Sequence, residues 1–164
     1  MELYIFRHGI AEDGRPGRPD PARQLTAEGR EKTAAVAKMA RRTGVRPSLI
    51  LSSPYIRARQ TAQIAADELE FKGNILHADS LVPDSTPEDV WRTIRDHADE
   101  AAILVAGHEP LLSQLVAFLL NAPSLRVEMK KSALVRIDVD SPRSGRVGPP
   151  HGTLRWMMVP RMTS

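Results

Sequence analysis

Three short apolar runs constrain the fold of this chain more than any other feature. They occupy Leu3–Phe6, Leu49–Leu51 and Ala101–Ala106, and each is followed by polar or turn-forming residues. Continuous apolar runs of this kind are typical of strands that are buried on both faces. Segments with helical spacing separate the runs, which favours a mainly parallel sheet with helices on both sides. We therefore expect an α/β fold, a three-layer α/β/α sandwich.

Capping residues predict where two of the helices begin. Thr26 is a suitable N-cap for a helix that runs to about Arg42. Ser53 is a suitable N-cap for a second helix, which would have Pro54 at its first position and run to about Leu69. Both helices then lie between predicted strands, as the alternating pattern requires.

The second half of the chain adds two helices and a hairpin. We expect helices to open at Pro87 and at Pro110, the latter ending near Asn121. The segments Ala133–Val139 and Thr153–Val159 alternate more regularly between apolar and polar residues, and a connection of about a dozen residues joins them. This pattern predicts an antiparallel hairpin at the edge of the sheet.

Composition predicts one domain in a reducing compartment. The chain has 164 residues, of which 41% are hydrophobic and 26% charged, so we expect a single domain over residues 1–164. It contains no cysteine. That excludes disulfide frameworks, thiolate nucleophiles and cysteine-ligated metal centres.

Charge and hydropathy argue against nucleic-acid and membrane partners. The 23 basic and 20 acidic residues are spread along the chain and aromatic residues make up 4% of it, whereas proteins that bind nucleic acid concentrate basic groups beside aromatic platforms. The N-terminus lacks a basic segment followed by a long apolar one. The most apolar stretch, Leu111–Leu120, is about half the length that spans a bilayer. We expect a cytoplasmic protein.

Chemically capable residues follow the three predicted strands. Arg7 and His8 come directly after the first run, Arg57 lies in the helical turn after the second, and His108 follows the third. Ligands of open α/β sheets bind beyond the carboxyl ends of the strands, so we expect these four side chains to converge. The helices that begin at this edge would direct N-terminal dipoles towards the same crevice, which favours an anion.

An imidazole is the available nucleophile at this predicted site. The sequence has no serine nucleophile elbow, no P-loop glycine pattern and no paired metal-binding acids beside these residues. A neutral histidine can attack phosphorus while arginines and a second imidazole hold the phosphoryl oxygens, and this chemistry requires no metal ion and no cofactor. Two alternatives stay open, since His8 and His108 could be structural histidines or ligands of a metal whose other ligands are hidden.

Three ordered blocks carry a specific resemblance. They are LYIFRHGIAE (3–12), LSSPYIRARQTA (51–62) and VAGHEPLL (105–112). They resemble the signature blocks of the histidine phosphatase superfamily, in the family's order and at the expected strand ends. The short length and the segments LTAEG (25–29), KKSALVRIDVD (130–140) and LRWMMVP (154–160) resemble the SixA-type phosphohistidine phosphatases. The similarity extends from Met1 to about residue 160.

The resemblance implies a phosphoglycerate mutase-like fold and a phosphatase that works through a phosphorylated enzyme. By its match to the first block, His8 would be the nucleophile that is transiently phosphorylated. The matched Arg7, Arg57 and His108 would contact the phosphoryl group. The implied substrate is a protein that bears phosphohistidine, such as a phosphotransfer domain or a phosphocarrier.

A carboxylic general acid is not evident. Family members that cleave phosphate esters often carry one between the second and third blocks, because an alkoxide leaving group needs a proton. That segment offers Asp84, Glu88 and Asp89, and Glu109 follows the third-block histidine. Of these, Asp84 is our candidate. The resemblance to the SixA-type group, in which such an acid is typically missing, favours phosphohistidine, whose phosphorus–nitrogen bond is more labile.

Other polar residues are interpreted as structural or as part of the surface. Arg59 stands where related sequences often carry an acid, and we interpret it as a rim residue. Ser52 and Ser53 are interpreted as strand-end and capping groups. Three histidines match no motif: His77, His97 and His151.

Two other functions remain open. One is a small-molecule phosphomonoesterase or mutase that uses Asp84 or Glu88 as its acid. The other is a binding module that holds phosphate or phosphohistidine without turning it over.

Overall fold

Strands and helices alternate along the chain as the sequence predicts. The structure, a computed structural model, describes residues 1–140 and 150–163. Its strands are β1 (Glu2–Arg7), β2 (Leu49–Ser52), β3 (Ile75–His77), β4 (Ala102–Gly107), β5 (Leu134–Val139) and β6 (Gly152–Met158). Its α-helices are α1 (Ala27–Arg42), α2 (Ile56–Glu68), α3 (Pro87–Asp96) and α4 (Leu111–Leu119). No helix in these two ranges is both long and apolar enough to cross a membrane.

One sheet contains all six strands, in the order β3-β2-β4-β1-β5-β6. The strands from β1 to β4 pair in parallel, whereas β5 runs antiparallel to β1 and β6 antiparallel to β5. The predicted edge hairpin is therefore confirmed. Most of its predicted connection, residues 141–149, lies outside the described residues.

Two hydrophobic cores lie on opposite faces of the sheet, because alternate residues of each strand point to opposite sides. On β1, Leu3 and Ile5 pack into a core with α3 and α4, whereas Tyr4 and Phe6 pack into a core with α1 and α2. Ile5 and Phe6 are fully buried, and burial of such a side chain contributes about 1.5–3 kcal/mol. The predicted three-layer sandwich is confirmed.

The predicted start of α1 is confirmed, but that of α2 is wrong. Thr26 accepts a hydrogen bond from the Gly29 amide (3.0 Å), as an N-cap does. The second helix begins at Ile56 rather than at Pro54. The reason is that Ser53 still donates its backbone N–H to Ala106 of β4 (2.9 Å), which holds this segment in the sheet.

The sheet creates a crevice between β1 and β4. These neighbouring strands are in register, with Arg7 opposite Gly107 at their carboxyl ends. The helix that follows β1 packs on one face of the sheet and the helix that follows β4 packs on the other. Because these two helices pack on opposite faces, an open cleft remains beyond the strand ends, where α/β proteins bind ligands.

Gly29 allows the loop after β1 to approach α1. A Cβ atom at this position would lie 2.1 Å from the carbonyl oxygen of Ile10. The contact is with backbone, so it is not relieved by turning a side chain.

We expect Gly29→Ala to lower the free energy of unfolding by about 1–3 kcal/mol, because the added methyl overpacks this contact. The matched control is Gly14→Ala, since nothing lies within 4 Å of a Cβ at Gly14. Thermal and urea unfolding of both variants check the expectation. A Gly29→Ala protein as stable as the wild type would contradict it.

Candidate active site

Two histidines meet where β1 and β4 end. The backbone N–H of His8 donates to Gly107 (3.0 Å), which continues the ladder by one residue. The rings of His8 and His108 lie 5.1 Å apart, centre to centre. Both residues are buried, with 6% and 1% of their surfaces exposed. The two histidines therefore lie together, as expected from the strands that they follow.

The hydrogen bonds of His8 define its tautomer. Its Nδ1 lies 2.7 Å from the carbonyl oxygen of Gly9, which can only accept, so Nδ1 carries the proton. The Arg57 guanidinium donates from Nε to His8 Nε2 at 3.3 Å. The contact with Arg57 requires an unprotonated Nε2. The lone pair of this nitrogen points towards Arg57.

A carboxylate that sequence reasoning missed fixes Arg57. The two terminal nitrogens of Arg57 donate to Asp20, one to its backbone oxygen and one to its Oδ2, each at 2.9 Å. Asp20 is the first residue of a short 3-10 helix. Arg23 directly follows this helix, and its Nε lies 3.3 Å from Oδ1 of Asp20. No sequence motif marks this contact, because Asp20 precedes Arg57 by 37 residues and lies in a polar loop.

Ser53 orients the second histidine. Its Oγ lies 2.8 Å from Nε2 of His108 and accepts the backbone N–H of Tyr55 at 3.3 Å. A serine hydroxyl can donate to a ring nitrogen or accept from one, so this contact fits either neutral tautomer of His108. Nδ1 of His108 is buried and has no hydrogen-bond partner among the described residues. One buried ring nitrogen of His108 is therefore left for a bound ligand to contact.

Arg7 is the last residue of β1 and directly precedes His8. One terminal nitrogen donates to the carbonyl of Met129 (2.6 Å), whereas its buried Nε has no partner within the described ranges. Its charge is felt by both histidines, whose pKa values it lowers. Glu109 is near enough to raise the pKa of Arg7 against the larger, opposite effect of burial. The Glu109 carboxylate also accepts the Ser113 amide at the start of α4 (2.8 Å).

Gly9 is required by the crowding behind His8. A Cβ there would lie 2.5 Å from Thr33 Oγ1 and 2.8 Å from the Gly29 carbonyl. The Gly9 amide donates to Thr61 Oγ1 (3.1 Å), one turn after Arg57 on α2. These contacts hold the Gly9 carbonyl in the orientation that His8 needs.

Both imidazoles are held neutral. Burial lowers the pKa of His8 to about 3, the charges of Arg57, Arg7 and Lys131 act in the same direction, and the bond to Gly9 opposes them. Burial also lowers the pKa of His108 to about 2, with further contributions from His8 and Arg57. Near neutral pH, Nε2 of His8 is therefore unprotonated, as a nucleophile must be.

The other candidates lie elsewhere. Asp84 is exposed, and no hydrogen bond or ion pair in the described part of the chain joins it to the four predicted residues. Its role as an acid stays a prediction. Arg59 and His77 line a cavity of about 780 Å³ beside β3, which contains none of the four. His97 follows the end of α3, and His151 is exposed before β6.

Residues 1–140 and 150–163 contain no group of three or more potential ligands that could hold a metal ion.

The neutral, buried imidazoles make stability depend on pH. In the unfolded chain their pKa returns to about 6.5, so below that pH the unfolded state binds protons that the folded state does not. We expect the free energy of unfolding to fall between pH 6.5 and 4, by up to about 1.4 kcal/mol per pH unit for each such imidazole. Urea unfolding across this range should show a shallower slope for His8→Gln than for the wild type. Equal slopes would contradict the assignment of a lowered pKa.

Known proteins resemble this chain in sequence and in structure. The profile described as "Histidine phosphatase superfamily (branch 1)" matches residues 3–80. An uncharacterised protein of Picosynechococcus sp. is 34% identical over 139 residues, which cover 82% of this chain and 83% of that protein. Phosphohistidine phosphatase SixA of Escherichia coli is 28% identical, and the match covers 98% of this chain and 94% of SixA.

The structural comparisons agree with the sequence matches. A solved structure of the protein histidine phosphatase SixA complexed with tungstate superposes with a TM-score of 0.86 at 28% identity and covers 100% of both chains. A putative alpha-ribazole-5'-P phosphatase from Escherichia coli shares the fold, with a TM-score of 0.71 at 20% identity. On this evidence the chain belongs to the histidine phosphatase superfamily, as a phosphatase of the SixA type with a phosphoglycerate mutase-like fold and histidine-based catalysis.

Proposed function

We propose that this phosphatase removes the phosphoryl group from phosphohistidine on a protein, without a metal ion, through a phosphorylated His8. The observation that carries the proposal is the orientation of His8, whose Nδ1 is tied to Gly9 while its Nε2 lone pair points to Arg57. The relative called phosphohistidine phosphatase SixA supports the same substrate class. Its protein substrate would be a phosphotransfer domain or a phosphocarrier, encountered in the cytoplasm.

In the first step, His8 Nε2 attacks phosphorus and the bond from phosphorus to the substrate imidazole breaks. The substrate ring leaves as a neutral imidazole when its other nitrogen carries a proton, so the enzyme need not supply one. The phosphorylated His8 keeps its Nδ1 proton and becomes a cation. The Gly9 carbonyl, already 2.7 Å from Nδ1, stabilises that charge.

In the second step, water attacks the phosphorylated His8. The phosphorus–nitrogen bond breaks, its electron pair returns to Nε2, and the ring is neutral again. The water oxygen stays in the inorganic phosphate that leaves, and the proton it loses passes to a phosphate oxygen or to solvent.

Three cationic or donor groups surround the reacting phosphorus. Arg7 and Arg57 carry positive charge, and His108 offers its Nδ1, which has no hydrogen-bond partner among the described residues. Donors fixed in a site with little water stabilise the negative oxygens of the transition state without reorganising. The Asp20 carboxylate limits the positive charge and holds Arg57 beside Nε2.

The surroundings of the site favour a nitrogen leaving group. The nearby Glu109 carboxylate already accepts the amide of Ser113 and lies near the charge of Arg7. An alkoxide leaving group needs a proton from an acid, whereas an imidazole leaves without such help. Ester cleavage would depend on Asp84 or another acid.

The direct test measures phosphate release from a histidine-phosphorylated protein and from an aryl phosphate, each with a chelator present. We expect rapid release from phosphohistidine and poor cleavage of the ester. His8→Ala should lower turnover about a thousandfold or more, because it removes the nucleophile. His77→Ala, an exposed histidine away from the site, is the matched control and should retain activity.

Other outcomes would overturn the proposal. Efficient ester cleavage that is lost in Asp84→Asn would indicate a phosphomonoesterase. Phosphate binding without release from either substrate would indicate a binding module. Activity that the chelator abolishes would contradict metal independence.

A further inference from the structure

A cavity adjoins the phosphate site on the side of the edge hairpin. It has a volume of about 840 Å³, and its lining includes Arg7, Met129, Lys131 and Met157. We call it the hairpin cavity. The catalytic steps derived above use only Arg7 among these residues.

Sheet register explains why this cavity opens beside His8. Because β5 is antiparallel to β1, its first residue, Leu134, pairs with Phe6 near the carboxyl end of β1. The last residue of β6, Met158, pairs in turn with Leu134. The start of β5 and the end of β6 therefore lie at the edge of the sheet that carries the site.

The hairpin cavity is strongly basic. Its lining contains five basic residues and one acid, namely Arg7, Lys32, Lys130, Lys131, Arg161 and Glu128. Lys130 pairs with Glu128, and Lys32 pairs with Glu28 on α1. Lys131 is exposed and forms no ion pair with any described residue. Its charge nevertheless reaches the site, because it contributes to lowering the pKa of His8.

Apolar surface accompanies this charge. Met157 is 36% exposed in the cavity wall, beside the partly buried Val159 and Pro160. Methionine side chains adapt to partners of varied shape. A mixed basic and apolar surface fits a protein segment that carries both acidic and apolar residues.

We propose that the hairpin cavity docks an acidic segment of the phosphoprotein next to its phosphohistidine, with Lys131 as the principal contact. This inference rests on the proposed function and specifies its partner. The basic lining complements the negative charge of an acidic segment. Arg7 belongs to this lining and directly precedes His8, so a segment bound in the cavity can continue into the phosphohistidine whose phosphoryl group reaches His8. Lys131 acts in recognition and takes no part in the chemical steps.

The experiment uses two phosphohistidine peptides that differ only in whether glutamate or lysine flanks the histidine. We expect the wild type to prefer the glutamate peptide about five- to tenfold in kcat/KM, as a few exposed ion pairs allow. Lys131→Glu should abolish or reverse this preference, and Lys131→Ala should weaken it. Raising the salt concentration should shrink the preference of the wild type.

Arg42→Glu is the matched control, since it reverses another exposed cation, at the far end of α1 and in a cavity without site residues. It should leave the preference unchanged. Free phosphohistidine, which has no flanking segment, should lose less of its hydrolysis rate in Lys131→Glu than the glutamate peptide does.

The outcomes separate this inference from the function on which it rests. If the wild type hydrolyses both peptides equally well, docking is refuted and the phosphatase stands. If Lys131→Glu slows free phosphohistidine as much as the peptides, Lys131 acts on the phosphoryl group and docking is again refuted. If the wild type hydrolyses neither peptide nor free phosphohistidine, the proposed function fails and the docking inference fails with it.

Discussion

The parallel pairing of β1 with β4 is the constraint on which the site depends. Their register places Arg7 opposite Gly107, so the next residues, His8 and His108, emerge side by side from the sheet. The helices that follow pack on opposite faces, which leaves the strand ends uncovered. A slip of this register by one residue would turn His8 to the other face and separate the two rings.

Burial gives the site its chemistry. An imidazole in contact with water is partly protonated near neutral pH, whereas burial lowers the pKa of His8 and keeps its Nε2 unprotonated. Buried polar groups need hydrogen-bond partners, and Gly9 and Ser53 supply them on the sides of the rings that face away from the reaction. Among the described residues, the buried nitrogens without hydrogen-bond partners include Arg7 Nε and His108 Nδ1, which a ligand at this site would contact.

Sequence reasoning predicted the groups that follow directly from strand ends, but missed those that come from distant parts of the chain. The positions of His8 and His108 follow from the apolar runs that precede them. Asp20 was missed because its contact with Arg57 joins a loop to a helix 37 residues away. The predicted start of α2 was wrong because the backbone of Ser53 remains paired with β4. This tertiary contact overrides the local helix signal of Ser53 and Pro54.

The most direct test of this account identifies the nitrogen that becomes phosphorylated. Enzyme with ¹⁵N-labelled histidine would be trapped during turnover and studied by ¹⁵N and ³¹P NMR. The hydrogen bond from Nδ1 to Gly9 predicts a phosphoryl group on Nε2 of His8, with the proton retained on Nδ1. A phosphoryl group on Nδ1 of His8, or on another residue, would contradict it.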